Sequence, residues 1–156
     1  MTEKSIRHPK WSSPLAPYLA VNDARNAIRF YKEAFGATVV VGPLEMPGGL
    51  IGHCEMRIGD GTIMLADGGM PEELVDTPNN VGSSTTQLLV YLPDADAAFD
   101  RAVAAGAEVV RPMADSFDGA RQGKVRDPFG HNWFLTTVVE EISKAELHRR
   151  MDDLFS

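Results

Sequence analysis

Three polar residues stand at alternate positions in the run Gly52-His53-Cys54-Glu55-Met56-Arg57-Ile58, with apolar residues between them. In an extended chain alternate side chains leave the same face, so His53 and Glu55 project together, roughly 7 Å apart, with Arg57 next in line. A carboxylate beside an imidazole raises its basicity, which makes the pair a candidate general acid/base. No nucleophile motif accompanies it. The same two side chains are metal donors, but two ligands do not make a site, and no third is identifiable by spacing. A solvated sheet face is the plain reading of this cluster; one wall of a ligand cavity is the functional one.

The element that positions these residues reads as a hairpin over residues 50–67. Asp60-Gly61 is a strong two-residue turn signal and sets Ile58 opposite Ile63, Arg57 opposite Met64 and Glu55 opposite Ala66. Cys54, Met56, Ile58, Ile63 and Leu65 then form an apolar face that belongs under helices. His53, Glu55, Arg57, Thr62 and Met64 look the other way.

The hairpin belongs to a module that is used twice. Leu15–Val40 reads as strand, amphipathic helix, glycine stop and strand, and Gln87–Val110 repeats it at an offset of about 70 residues, as the next matches show. Val21-Asn22-Asp23 matches Leu92-Pro93-Asp94, and Gly36-Ala37-Thr38-Val39-Val40 matches Gly106-Ala107-Glu108-Val109-Val110. Asn22 or Asp23 caps the first helix, whose buried stripe is Ala24, Ala27, Ile28, Tyr31 and Phe35. Asp94 caps the second, with Ala98, Phe99, Ala102 and Val103 inward. Gly36 and Gly106 end the two helices.

Strands are expected at 15–21, 38–41, 86–92, 108–111, from 124 and over 133–139. Pro43–Gly49 and residues 112–123 read as loops, the second long enough to be functional. Phe117 within it is exposed by context and placed to cover a ligand or to pin the loop. His131, in the turn Asp127–Trp133, reads as a turn or surface residue. A short helical turn is expected at Pro71–Leu74. The chain thus divides into an arm (1–13), a first βαβββ module (14–67), a linker (68–84), a second module (85–139) and a C-terminal amphipathic helix (140–156). His8 and Trp11 in the arm can reach a partner subunit or simply lie as a solvated tail with one packed indole. Ser143-Lys144-Ala145-Glu146 is a capping box, and Leu147, Met151, Leu154 and Phe155 recur at helical spacing beyond it.

Composition narrows the function classes. The 156 residues carry a net charge of -7, which argues against a broad grip on nucleic acid. No apolar run approaches the ~20 residues of a membrane helix, and no signal peptide is visible. The single cysteine, Cys54, excludes an internal disulfide and points to a reducing compartment, hence a cytoplasmic protein with no membrane partner.

FYKEAFGA in the first module and DPFGHNW in the second resemble the glyoxalase/bleomycin-resistance family, also called the vicinal oxygen chelate superfamily. The APYLAV opening, the His53–Asp60 arm and the Ser-x-x-Glu helix with Arg149-Arg150-Met151 look most like its PhnB-like branch. The resemblance covers residues 14–155. It implies an α+β fold of two tandem βαβββ modules, with curled mixed sheets around a cavity, helices outside and a C-terminal helix. It also implies a homodimer.

Metallo-members of that family place one ligand on the first and one on the last strand of each module. Laid on this chain, those positions fall on Ala16, Met64, Gln87 and Phe134. Three of them cannot bind a hard or borderline cation, and Gln87 is a weak single oxygen. The expectation is therefore no metal and no cofactor.

What remains inward is a mostly apolar cavity of Tyr18, Met64, Leu89, Tyr91 and Phe134, with His53, Glu55, Arg57 and Gln87 among them and Phe117 nearby. Metal-free members that sequester drugs between aromatic walls make a metal-independent small-molecule binding protein the leading reading, possible roles being sequestration or resistance. A lyase or isomerase using His53/Glu55, or a displaced metal, is the alternative. An accessory dimer with a vestigial cavity is the third. The chain lacks a glycine-rich loop opening a helix, so no phosphonate role is carried over.

Overall fold

The computed structural model describes residues 7–69 and 75–156 and divides into two compact units, Met1–Ser83 and Ser84–Ser156. In the first, β1 (Tyr18–Val21), α1 (Ala24–Phe35), β2 (Thr38–Glu45), β3 (Ile51–Ile58) and β4 (Gly61–Asp67) are followed by a short α2 (Pro78–Val81). In the second, β5 (Gln87–Tyr91), α3 (Ala95–Ala104), β6 (Glu108–Asp115), β7 (Ala120–Arg126) and β8 (Asn132–Val138) are followed by α4 (Lys144–Leu154). Each unit holds an open four-stranded sheet, ordered β1-β4-β3-β2 and β5-β8-β7-β6. The first and last strands of each unit run parallel, and the other neighbours are antiparallel. The fold is α+β and built from two βαβββ modules, as the repeat predicts.

The helices form where their caps require. The Asp23 carboxylate accepts from Asn26 N at 3.1 Å, and Gly36 ends α1 at φ 68°, a left-handed conformation that glycine takes without cost. Asp94 does the same for α3, accepting from Ala97 N at 3.0 Å. The α1 stripe is wider than its spacing suggests, because Phe30 and Ala34 are buried beside the expected five. The α3 stripe is narrower: Ala95, Ala98 and Ala102 are buried, Phe99 is half-buried and Val103 is exposed. Its centre line runs through the alanines, which turns Phe99 and Val103 to one side. On the sheets, Leu19, Val21, Cys54, Met56, Ile58, Ile63 and Leu65 form the expected buried face.

Four expectations need correction. The hairpin turn lies at Gly59-Asp60, one residue earlier than predicted, so Glu55 pairs with Met64, Met56 with Ile63 and Arg57 with Thr62. Gly59 takes φ 57°, which a tight hairpin turn needs at its first central position. The shift of pairing is two residues, an even number, so every side chain keeps its face. Second, Pro43–Glu45 and Pro112–Asp115 are strand, not loop. Each proline sits in an irregular stretch of an edge strand, where a missing N–H costs no ladder bond. The loop read over 112–123 shrinks to Ser116–Gly119, and Phe117 lies in that turn, half-buried. Third, a helical turn forms at Pro78–Val81 behind the Thr77 cap; the one expected at Pro71–Leu74 lies outside the described residues. Fourth, the capping box is half made. Ser143 Oγ accepts from Glu146 N at 3.1 Å, but the Glu146 carboxylate turns to Arg149 and Arg150.

The helix α4 buries none of its residues fully. Leu147 is half-buried, whereas Met151, Leu154 and Phe155 are exposed. Arg150 ties the helix down, pairing with Glu140 at 2.7 Å and donating to the Phe117 carbonyl at 3.2 Å. Among the described residues no helix is long and apolar enough to cross a membrane.

Candidate functional site

The face of the first sheet turned away from α1 carries a chain of four polar contacts. Tyr18 Oη lies 2.6 Å from His53 Nδ1. His53 Nε2 lies 3.0 Å from Glu55 Oε1. Trp11 Nε1 donates to Glu55 Oε2 at 2.8 Å, and Arg57 donates to the Trp11 carbonyl at 3.0 Å. A Glu55 carboxylate can only accept, so the imidazole proton sits on Nε2 and the Tyr18 hydroxyl donates to Nδ1. Tyr18 and His53 also meet as rings, with centroids 5.4 Å apart. The arrangement follows from register. Met64 pairs with both Tyr18 and Glu55, which places β1 and β3 on either side of β4 with their polar residues on one face.

Burial grades along this chain. Glu55 is 8% exposed, His53 is half-buried and Tyr18 is 52% exposed. The carboxylate is thus shielded and fully engaged, while the phenol faces outward.

Beside Tyr18 lies a cavity of about 200 Å³, lined chiefly by Tyr18, Ala20, Gly52, Ala66, Gly68 and Val75. It exists because its walls are small. Ala20 and Ala66 are register partners. A Cβ on Gly68 would come 2.7 Å from the Ala20 Cβ, so the chain approaches there as only glycine allows. Asp67, on the same wall, accepts from Ala24 N at 2.9 Å and Ile51 N at 2.8 Å, joining α1, β3 and β4.

The open face of the second sheet carries the other expected residues. Gln87, Leu89 and Tyr91 are all exposed along it. Leu89 pairs with Phe134, and Phe134 pairs with Lys124. The Arg111 guanidinium lies 5.0 Å from the Phe134 ring centre and the Lys124 ammonium 5.4 Å. Asn132 Oδ1 and Thr136 Oγ1, on the same strand, are buried without a hydrogen-bond partner among the described residues.

The structure therefore gathers the predicted residues into two groups, Tyr18, His53, Glu55, Arg57 and Met64 on one sheet and Gln87, Leu89, Tyr91 and Phe134 on the other. Phe117 joins neither, since its carbonyl anchors α4. His131 is a turn residue, donating its backbone N–H to Asp127 at 3.0 Å.

The model of the glyoxalase/bleomycin resistance protein/dioxygenase superfamily matches residues 11–135. The chain belongs to this superfamily. An uncharacterized protein of Mycobacterium tuberculosis is 39% identical over 140 residues, spanning 88% of this chain and 81% of the relative. The crystal structure of TioX from Micromonospora sp. ML1 is 32% identical with a TM-score of 0.60, covering 83% of this chain and 98% of TioX. The PhnB protein from Bacillus cereus shares the fold at 20% identity and a TM-score of 0.59, covering 79% and 98%.

Metallo-members of the superfamily would hold their ion at the positions of Ala16, Met64, Gln87 and Phe134. The residues do not fit it. Two cations already flank the Phe134 ring, and Ala16 and Phe134 offer no donor. The displaced pair is no better placed, because both His53 nitrogens and both Glu55 oxygens are engaged. Among the described residues no group of three His, Cys, Asp or Glu side chains is positioned to hold a metal ion.

Sequence reasoning missed Trp11 as a partner of Glu55, the small residues that leave the cavity, and the two cations at Phe134. Residue 124 reads only as the start of a strand, and nothing in spacing marks a ring contact. The Trp11 contact joins residues 44 apart and has no local signal.

Proposed function

We propose that this chain is a metal-independent small-molecule binding protein of the superfamily, in its PhnB-like branch, acting as a homodimer in sequestration or resistance. The observation that carries the reading is the Tyr18–His53–Glu55–Trp11 chain beside a cavity of about 200 Å³. An apolar recess with one outward polar group is how small-molecule sites gain affinity and orientation together. The buried end of the chain holds His53 in one tautomer, so Tyr18 donates its proton to Nδ1 and its oxygen is oriented to accept a hydrogen bond from the occupant. The APYLAV opening and the likeness to the Bacillus cereus protein support the branch.

The same geometry favours a second reading, proton transfer. Tyr18 takes a proton from the bound molecule as its own passes to His53 Nδ1, and Glu55 stabilises the imidazolium that results. A lyase or isomerase that works by proton transfer can run on this step without a metal.

A thermal-shift screen of aromatic and cationic compounds on chelator-treated protein separates these readings. Binding predicts a raised melting temperature that chelation leaves intact and a Tyr18→Ala substitution abolishes. Turnover of a hit, lost in His53→Ala, would move the second reading to the front. Near-stoichiometric metal in the purified protein, with a melting point that drops on stripping, would sink both.

A further inference from the structure

We propose that the open face of the second sheet holds an organic acid, with its oxyanion between Arg111 and Lys124 and its apolar body against Phe134 and Leu89. The reading is independent of the site on the first sheet.

Four observations converge on it. Arg111 and Lys124 are direct register partners on β6 and β7. Like charges directly opposite one another destabilise a strand pair, so the pairing carries a cost. Among the described residues no carboxylate lies within 4.0 Å of either cation, whereas Arg121, Arg126, Arg149 and Arg150 of the same unit all pair with Asp or Glu. In a chain of net charge -7 this is a selective exclusion of acidic partners from one spot. Third, both cations stand at the Phe134 ring, at 5.0 and 5.4 Å, which orients them toward one place on the face. Fourth, Thr136, two residues along the same face, is 1% exposed and its hydroxyl has no hydrogen-bond partner among the described residues.

The surroundings fit the rest of such a molecule. Leu89 is 50% exposed beside Phe134 and offers an apolar flank. Arg111 and Gln122 also line a hollow of about 170 Å³. The one carboxylate in that hollow, Asp115, is held by Arg121 at 3.3 Å. An oxyanion bridging the two cations relieves their repulsion, and a planar guanidinium receives carboxylate or phosphoryl oxygens in a forked pair.

The test uses benzoate and phenylphosphonate as probes, with benzyl alcohol as the neutral control, followed by NMR titration of the full chain. Saturable shifts centred on Lys124, Arg111 and Phe134 are expected for the two anions, weakening as salt rises. Arg111→Met and Lys124→Met should each weaken anion binding roughly tenfold, with a melting temperature that does not fall, because each removes one of two opposed like charges. His53→Ala should leave it unaltered, which keeps a failure here distinct from failure at the first sheet. Absence of saturable shifts overturns the proposal. So does equal binding of benzyl alcohol, or anion binding that survives both substitutions.

Discussion

Asp127 is a residue whose environment is made almost entirely by its own turn. It is 3% exposed, and its carboxylate accepts from Phe129 N, His131 N and Trp133 Nε1 at 2.9, 3.0 and 2.9 Å. A buried acceptor with several donors is costly to remove, because each donor is then stranded. Asp127→Ala is expected to lower stability by about 3 kcal/mol in chemical denaturation. A loss below about 0.5 kcal/mol, the level of an ordinary surface change, would show that the turn stands without its carboxylate. The turn itself was legible, since Asp-Pro-Phe-Gly carries three strong turn residues. The indole bond was not, because turn chemistry says nothing about which side chain folds back onto it. The same limit applies at Glu55: its alternation with His53 is written locally, but the Trp11 donor arrives from a segment with no pattern of its own.

At the scale of elements, periodicity carried most of the information. The caps of α1 and α3, the buried face of α1 and the two faces of the β3–β4 hairpin were readable, because each depends on spacing within one element, whereas the α3 face reads one side too wide, with Val103 exposed. Strand ends were misread at Pro43 and Pro112, where proline is ordinarily a breaker and here sits on an edge. The attachment of α4 was unreadable for a different reason: it rests on Arg150 reaching outside the helix, to Glu140 and to the Phe117 carbonyl, while Arg149 and Arg150 also pair within it. Arg149 and Arg150 hydrogen-bond the Glu146 carboxylate and hold its pKa down at about 2, below the ordinary 4.5. Arg150 likewise lowers the Glu140 pKa. A depressed carboxylate contributes stability that is complete above its unfolded pKa and is lost as pH falls through the folded one. The ion pairs within α4 should therefore be intact above about pH 4.5 and weaken toward about pH 2, and the Glu140 pair that docks the helix should weaken in the same sense as pH falls. Amide exchange in α4 reads this directly. Arg150→Met should already show the fast exchange at neutral pH, and equal protection in the variant would dismiss the ion pairs as the anchor.

At the scale of the molecule, the family and the doubled module were legible from short motifs and a repeat, whereas the two cations, Arg111 and Lys124, that set the second open face apart from the first were not. Assembly is argued at this scale too. Met151, Leu154 and Phe155 end α4 as an exposed apolar group that nothing in the chain covers among the described residues. A homodimer that buries them is expected, so light scattering should give twice the 17.0 kDa chain mass. Phe155→Asp together with Leu154→Asp should return the monomer. A wild-type monomer at high concentration, or a dimer indifferent to both changes, would count against this interface.

Strand alternation has a consequence for how such a protein diversifies. Leu19, Val21, Cys54, Met56 and Leu65 face the helix and carry the packing, while their immediate neighbours in sequence face the other way. The two sets interleave along one chain yet have almost independent duties. After a duplication, the inward set is constrained in both copies, but the outward set is free to drift. One copy can keep a hydrogen-bonded Tyr-His-Glu relay and the other a pair of cations on a phenyl ring, with no renegotiation of the core. For an engineer, the outward positions are a ready-made library: many substitutions there change what the surface recognises long before they change whether the chain folds.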